Sequence, residues 1–351
     1  MYGPQRRDVK PLSQRSSEVL KWVVRQYTDS GIPVASTHLV EMERFEVRSA
    51  TLRNELNHLE SDGFLHQPHT SAGRIPTETG YRYFVDHLME PDPVVEKIQH
   101  RYERSIEAFA ADLDQLIKHT SHFLADMAEA LVLISRPQPR ATRITGLTLH
   151  EVDADTILLV IKMSPGQVKS LTCRVATRLS RAHLSEAEQI LNDHFADREL
   201  SDLDQDLERE QAEWQRRGAW INDLVHQLLA TLKRPSEGEY LSYGTHQLLH
   251  YPELAPAMVL EPILASLESG QLVRELPVSA DTFSAHILIG SELGRQNLNA
   301  LSAVSVCYAG SQFQGMIHLF GPTRMAYERI AGMATYVADR VGLLLKESFD
   351  I

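Results

Sequence analysis

Cysteine is nearly absent from the chain. Cys173 and Cys307 are the only two among 351 residues, and each sits in an apolar, strand-like run far from the other. A disulfide framework is excluded, and two buried free thiols in a reducing compartment are expected, which places the protein in the cytoplasm. Long hydrophobic runs are also missing. The longest clean ones, such as Ile157–Ile161, are strand-sized, far below the roughly 18 residues that span a bilayer. Arg6 and Arg7 are followed by no apolar stretch, so neither a secretory signal nor membrane attachment is expected. Catalytic signatures are lacking too: there is no Gly-x-Ser-x-Gly, Walker loop, His-Glu-x-x-His or Cys-x-x-Cys. His246 and His250 stand four apart, but no Cys or obvious third ligand lies nearby. His119 and His122 read as part of a solvated face. No catalytic residue, metal or cofactor is expected, so the chain is not read as an enzyme.

What is present suits a folded protein of two to three domains. Hydrophobic residues make up 43% and charged residues 23% of the sequence, enough apolar material for a sizeable core. Net charge is −12, but unevenly spread. Residues 1–84 hold eleven Lys/Arg against ten Asp/Glu, with four histidines, whereas the remainder holds 24 against 37. A neutral head on an acidic body makes the head the candidate for a polyanionic partner, although so small a difference also arises from solvation alone.

The head reads as short helices with tight punctuation. Ser13 is positioned to N-cap a helix running to Ser30, in which Val19, Leu20, Val23, Val24 and Tyr27 recur at helical spacing. Gly31 and Ile32-Pro33 end it. Ser36 begins a short helix with Leu39 and Val40 inward, and Arg44–Val47 connects it to a third helix, Ser49–Asp62, stopped by Gly63. His66–Arg74 reads as a loop, and Pro76-Thr77 opens a fourth helix to about Met89. Pro91 and Pro93 mark a linker. Beyond it, Val94–Ile134 is expected to be one long helical stretch, followed by an antiparallel meander of Ile144–His150, Thr156–Met163 and Val168–Val175. Leu184–Phe195 and Leu203–Leu232 read as helices. Strands are expected at Tyr240–Tyr243, His286–Ile289, Leu301–Tyr308 and Gly315–Phe320, with helices at Ala257–Leu267 and Arg324–Glu347.

The third helix is the most informative element. On a helical wheel Leu52, Leu56 and Leu59 form one apolar stripe. Val47, Thr51, Asn54, Asn57 and His58 point roughly the other way, with Arg53 on the flank. The outward face is short, polar and almost free of acid. Arg, Asn and Thr are side chains that pair with base edges and phosphates in a major groove. A short helix and a tight turn before it give helix-turn-helix geometry. A solvated face in a small helical bundle has the same composition, so both readings stand at this point. The following loop, His66 to Arg74, contains no acid, two hydroxyls, two histidines and a terminal arginine. Those are the properties of a wing lying along phosphates or in a minor groove; an ordinary surface turn is the alternative.

The runs Ser49-Ala-Thr-Leu-Arg-Asn54 with Leu59-Glu60, Gln67-Pro-His-Thr-Ser-Ala-Gly-Arg-Ile-Pro-Thr77 and Gly80-Tyr-Arg-Tyr-Phe-Val-Asp86 resemble the winged-helix head of the heat-inducible transcription repressor family HrcA. Gly321-Pro-Thr-Arg-Met325, Tyr327, and Ile289-Gly290 with Glu292 are similar to that family's C-terminal signature. The resemblance covers nearly the whole chain. It implies an α+β multidomain protein: an N-terminal winged helix-turn-helix over 1–90, a GAF-like α+β domain over 94–140 and 236–351, and an inserted α+β dimerisation domain over 141–235. It further implies a homodimeric repressor of heat-shock chaperone operons that binds double-stranded DNA at an inverted repeat of CIRCE type, loses activity on heat stress, and is modulated by the chaperonin GroEL. Carried over by position, the recognition residues are Arg48, Thr51, Arg53, Asn54 and His58, and the wing residues are His69, Thr70, Ser71 and Arg74. Ser36 and Thr37 open the preceding helix, where backbone N–H groups can hold a phosphate. Two departures stand out. Ala35-Ser36-Thr37 replaces an expected Gly-Ser-Arg/Lys, and Arg48 stands where a small hydroxyl is expected, so a phosphate cation lost at one place is replaced nearby. An alternative is a winged-helix factor that responds to a small molecule in the GAF-like domain, with Val304, Val306, Met316 and Ile317 as pocket lining. A packed structural core there is the competing expectation. Thr323 is expected to N-cap the last helix, and Arg324 to hold either an internal carboxylate or a dimer contact.

Overall fold

The computed structural model describes residues 11–41, 49–69, 72–109, 112–139, 142–164, 166–175, 180–199, 214, 219–232, 240–274, 276, 285–311 and 313–348. They divide into two compact units, one formed by 1–137 with 238–351 and the other by 138–237.

The first unit opens with α1 (Gln14–Ser30). Ser13 caps it by accepting from the Ser16 N–H at 3.1 Å, and Gly31 closes it in the left-handed region, donating to the Tyr27 carbonyl. α2 (Ser36–Glu41) and α3 (Ser49–Ser61) follow. Leu39, Leu52, Leu56 and Leu59 bury themselves against Val19, Leu20, Val23 and Val24 of α1. β1 (Leu65–His66) and β2 (Ile75–Pro76) form a two-stranded antiparallel ribbon. Val34 extends it by exchanging backbone hydrogen bonds with Arg74 at 2.9 and 2.8 Å. Gly73 permits that approach, because a Cβ there would lie 2.4 Å from the Val34 carbonyl carbon. α4 (Glu78–Tyr83), capped by Thr77, continues through a π-helical turn to Leu88. Gly80 is equally constrained: a Cβ would stand 2.2 Å from the Phe64 carbonyl oxygen.

The chain goes on through α5 (Glu96–Glu107), α6 (Leu113–Ala128) and β3 (Leu131–Ser135), and then enters the second unit. There β4 (Arg143–Asp153), β5 (Thr156–Ser164) and β6 (Gln167–Arg174) make an antiparallel meander in that order. α7 (Arg181–Phe195) and α8 (Ala219–Leu232) supply Leu184, Leu191, Phe195, Leu224 and Leu228 to a core with Ile144, Leu159, Ile161 and Cys173. Strand β4 has an irregular register between Ile144 and Gly146. Asn192 of α7 satisfies the backbone there, accepting from the Leu147 N–H at 2.9 Å and donating to its carbonyl at 2.7 Å.

Returning to the first unit, β7 (Tyr240–Tyr243) leads to a 3-10 turn at Thr245–His250, then α9 (Ala257–Glu268), α10 (Gln271–Arg274), β8 (His286–Ile289), β9 (Leu301–Ala309), β10 (Phe313–Pro322) and α11 (Tyr327–Ser348). The sheet runs β7-β3-β10-β9-β8, every neighbouring pair antiparallel. One face buries Val132, Ile134, Val304, Val306, Ile317 and Leu319 with Leu116 and Leu124 of α6 and Val337 and Val341 of α11. The other buries Leu131, Leu133, Ala303 and Phe320 with Ile263 of α9 and Leu272 of α10.

The helical head and this sheet share one apolar cluster, which contains both Leu52 and Val341. Polar contacts fix the junction. Arg82 of α4 forms a bidentate pair with Glu292 at 2.9 and 2.7 Å and donates to the Ile287 carbonyl at 2.7 Å. Glu78 accepts from Ser291 Oγ at 2.5 Å. Arg25 of α1 makes a second bidentate pair with Glu328 of α11, both bonds 2.8 Å. Arg324 donates to the Thr28 carbonyl at 3.3 Å and pairs with Glu253. Of the two roles open to Arg324, the internal carboxylate is the one observed.

Four expectations are corrected. Val94–Ile134 is not one helical stretch but two helices and a strand: α6 ends at Glu129 in the left-handed region (φ 50°), and Leu131–Ser135 is a fully buried strand. Thr323 does not cap the last helix, which starts at Tyr327; its carbonyl accepts from the Tyr327 hydroxyl at 2.7 Å. Val304, Val306 and Ile317 do not share a cavity wall with Met316, since adjacent strand residues face opposite sides of the sheet. His119 and His122 are not a solvated pair. His122 stacks on Tyr243 at 3.7 Å, His119 packs against Phe109, and burial, reinforced by His122, pushes the His119 imidazole pKa down.

Two stability measurements follow. Arg82→Met removes two of the hydrogen bonds to Glu292, which keeps only that from the Ile289 N–H, and takes the Arg82 donor from the Ile287 carbonyl; it is expected to lower the unfolding free energy by about 2–3 kcal/mol. Asp86→Asn, which removes only the exposed partner of Arg82, is expected to cost under about 0.5 kcal/mol; denaturant titration of both variants checks the contrast. His318 is fully buried in the sheet, with Nδ1 2.8 Å from Ser305 Oγ, and burial drives its pKa down from 6.5 to about 3. Between those values the unfolded chain holds the proton and the folded one does not. Stability therefore falls as pH drops through that window, by up to about 1.4 kcal/mol per pH unit from this side chain. Acid titration of His318→Leu is expected to show a correspondingly shallower loss.

Candidate nucleic-acid interface

The candidate surface is built on α3. Its leucine stripe faces α1, which turns Arg53, Asn54, Asn57 and His58 outward, all four exposed, with Thr51 half-buried beside them. Both acids within the helix are engaged. Glu55 accepts from Ser16 Oγ of α1 at 2.9 Å, and Glu60 pairs with Arg74 Nε at 2.8 Å. The exposed row is thus left with cationic, amide and imidazole groups, the chemistry that reads base edges and phosphates.

The ribbon after α3 stands beside this row. Gln67 Nε2 donates to the Ala72 carbonyl at 2.7 Å, and the Ala72 N–H donates to the His69 carbonyl at 2.8 Å, which closes the loop on itself. His69 is exposed at its tip. Arg74 is not a free cation: besides Glu60, it donates to Asn57 Oδ1 at 3.0 Å. At the start of α2, Thr37 is exposed, while Ser36 is half-buried with its Oγ 3.3 Å from Ser49 Oγ. The hydroxyl contact ties α2 to α3 at their N-termini.

Of the residues singled out in the sequence, Thr51, Arg53, Asn54 and His58 stand along α3, Ser36 is tied to the N-terminus of α3 through Ser49, Thr37 and His69 are exposed, and Arg74 meets α3 at Glu60 and Asn57. Arg48, Thr70 and Ser71 are outside the described residues, as is the connection 42–48. Two further residues belong to this arrangement: Asn57, which the helical wheel puts on the outward face, and Glu60, whose sequence signal is only its place in Leu59-Glu60. A short acid-free loop ending in Arg74, seventeen positions after Asn57, carries no local signal that the arginine folds back onto the helix. Among the described residues no group of three or more His, Cys, Asp or Glu side chains is placed to hold a metal ion, and no helix is long and apolar enough to cross a membrane.

Comparison with known proteins gives this geometry its context. Residues 114–331 match the family described as HrcA protein C terminal domain. The heat-inducible transcription repressor HrcA of Streptomyces avermitilis is 31% identical over 341 residues, covering 96% of this chain and 100% of that protein. Its counterpart in Roseiflexus sp. (strain RS-1) is 29% identical over 345 residues, covering 97% and 96%. A solved structure described as "Crystal structure of a hypothetical protein at 2.2 A resolution" superposes with a TM-score of 0.58 at 24% identity, over 96% of this chain and 100% of that one, and so shares the fold. The chain belongs to the HrcA family of heat-inducible transcription repressors and is a regulator of transcription, not an enzyme.

Proposed function

We propose that the chain represses transcription by binding double-stranded DNA at an inverted-repeat operator of CIRCE type as a homodimer, and releases it on heat stress. The observation that carries this reading is the exposed row Arg53, Asn54 and His58 on a helix whose opposite stripe is buried, flanked by a closed polar loop. α1–α3 with the β1–β2 ribbon act as a winged helix-turn-helix, with α3 in the major groove and the ribbon along the backbone. Thr51, Arg53, Asn54 and His58, together with Arg48, supply base and phosphate contacts. His69, Thr70, Ser71 and the N-terminus of α2 at Ser36 and Thr37 supply phosphate contacts, which position rather than specify. The antiparallel sheet β7-β3-β10-β9-β8 with its helices serves as a GAF-like core that presents the head. The unit 138–237 is the dimerisation domain; the outer face of its sheet carries Leu158 and Val160, half-buried, and exposed Val168, apolar groups that a second copy would cover. Two heads related by a two-fold axis then meet the two half-sites of a palindrome.

The acidic remainder of the chain opposes non-specific association with DNA, so the head's contacts decide which duplex is bound. Heat control operates through marginal stability of the folded repressor, with the chaperonin GroEL maintaining the active form. A protein-folding machine is a suitable modulator for a factor whose activity is its folded fraction.

Arg53→Ala and Asn54→Ala are each expected to lower the preference for a CIRCE-type duplex over a scrambled one by about 1–3 kcal/mol, with the dimer still folded. Competition gel-shift measures the preference and circular dichroism the fold; full retention of preference in both variants would overturn the assignment. Purified protein held at heat-shock temperature without chaperonin is expected to lose operator affinity over minutes to hours and to keep it longer when chaperonin and ATP are added. Undiminished affinity in the chaperonin-free sample would remove the stability-based account of heat control.

A further inference from the structure

We infer that Asn57 is a further duplex-contacting residue, held by the Glu60–Arg74 pair so that it offers DNA a hydrogen-bond donor and turns its acceptor inward. The inference rests on the reading of α3 as the groove-facing helix. Arg74 sits where the loop rejoins β2, and its side chain is 16% exposed, against 34% for Glu60. Its backbone is pinned on both sides by Val34. Its side chain then crosses to α3, with Nε 2.8 Å from Glu60 Oε2 and a terminal nitrogen donating to Asn57 Oδ1 at 3.0 Å.

A guanidinium has five N–H donors and no acceptor. The amide group placed against it must therefore be the carbonyl end, and the chemistry of Arg74 settles which way Asn57 is turned. The Nδ2 end, with two donors, is left for the exposed side of the residue. Asn57 follows Asn54 by three positions and Arg53 by four, so it continues the same row one turn along the helix. Acceptors on a duplex that suit it are a phosphate oxygen, a purine N7, guanine O6 or thymine O4. Bidentate reading of adenine requires both ends of the amide at the base edge, and with Oδ1 turned to Arg74 only one end reaches.

Arg74 itself is thereby a positioning residue. Its charge is offset by Glu60, its nitrogens are directed at α3, and its effect on DNA is exerted through Asn57 and through the fixed angle between loop and helix. This departs from the simplest reading of a wing arginine as a phosphate ligand, and the two differ in salt dependence. A cation that neutralises one phosphate contributes about 0.9 to the slope of log affinity against log salt; a positioning residue contributes none.

The test uses full-length protein, a CIRCE-type duplex, its single-base-pair variants and a scrambled control, titrated at several salt concentrations, with thermal melts of every variant. Asn57→Ala is expected to weaken binding about tenfold with the salt slope unchanged. Asn57→Asp keeps an oxygen for Arg74 and loses the donor; it is expected to melt no lower than wild type and to bind more weakly than Asn57→Ala. Arg74→Met, made together with Glu60→Gln so that no unpaired carboxylate is left on the flank of α3, is expected to leave the slope unchanged and to add nothing when combined with Asn57→Ala. A loss spread evenly over all duplex variants assigns the acceptor to a phosphate, and a loss confined to one base pair assigns it to a base edge; both support the inference. Asn57→Ala within twofold of wild type, an additive combination, or a slope lowered by about 0.9 in Arg74→Met with Glu60→Gln would overturn it. Should Arg74→Met fail to fold, the two Asn57 variants still decide the donor role. Failure of wild type to distinguish the operator from the scrambled duplex would instead sink the nucleic-acid reading itself.

Discussion

The packing of three leucines on α3 against the valines of α1 governs the rest of the head. A helix of this length buries one stripe and exposes the other, so once Leu52, Leu56 and Leu59 are committed to the core, the direction in which Arg53, Asn54, Asn57 and His58 project is settled. The acids are sorted by the same geometry. Glu55 lies on the flank reached by Ser16 of α1, and Glu60 on the flank reached by Arg74 from the loop. A uniform arrangement of polar residues around the helix would leave a carboxylate among the outward groups and repel a phosphate backbone. Burial at one stripe and pairing on the flanks together produce a face without one.

The same leucine packing is mechanically coupled to the remainder of the first unit. α1 carries Arg25 to Glu328, and α4 carries Arg82 to Glu292 and Glu78 to Ser291. The residues that carry the family resemblance therefore divide into two groups with different physical duties. Thr51, Arg53 and Asn54 face outward. Gly80, Arg82, Glu292, Arg324 and Tyr327 face the junction or lie beside it, and Gly73 serves the close backbone approach that seats the loop. A partly desolvated, bidentate arginine–carboxylate pair resists small rotations, because both of its hydrogen bonds must be kept in one plane. Two such pairs on different helices hold the orientation of the head far more tightly than apolar packing alone, which tolerates sliding.

Much of this was legible in the sequence, for reasons that are local. Ser13, Gly31, Thr77 and the period of Val19, Leu20, Val23 and Val24 act within one or two helical turns, and the helices of the head fall where those signals put them. The meander was legible because its strands alternate and its turns carry Asp, Pro and Gly. Strand β3 was not. A five-residue run buried on both faces has no alternation, and the helix before it ends at Glu129 in the left-handed region with no glycine to announce the stop. The direction of Thr323 and Arg324 was hidden for a different reason: whether a Thr-Arg pair caps a helix or precedes it depends on where Glu253 and Thr28 lie, more than 70 positions away.

Arg74 shows the limit most clearly and also what tertiary structure adds. Composition places an arginine at the end of an acid-free loop, where a phosphate contact is the natural expectation. The fold brings Glu60 and Asn57 to it from the preceding helix, and a partly buried guanidinium paired with a carboxylate and bonded to an amide oxygen is a poor candidate for a mobile surface cation. Its electrostatic attraction for a polyanion is reduced by the carboxylate 2.8 Å away. The head as a whole is nearly neutral and the remainder of the chain acidic, so in the proposed complex affinity rests on a small number of well-oriented contacts rather than on bulk charge. In such a complex the direction of an amide matters as much as the number of cations, and Arg74, paired with Glu60, turns the Asn57 oxygen toward itself.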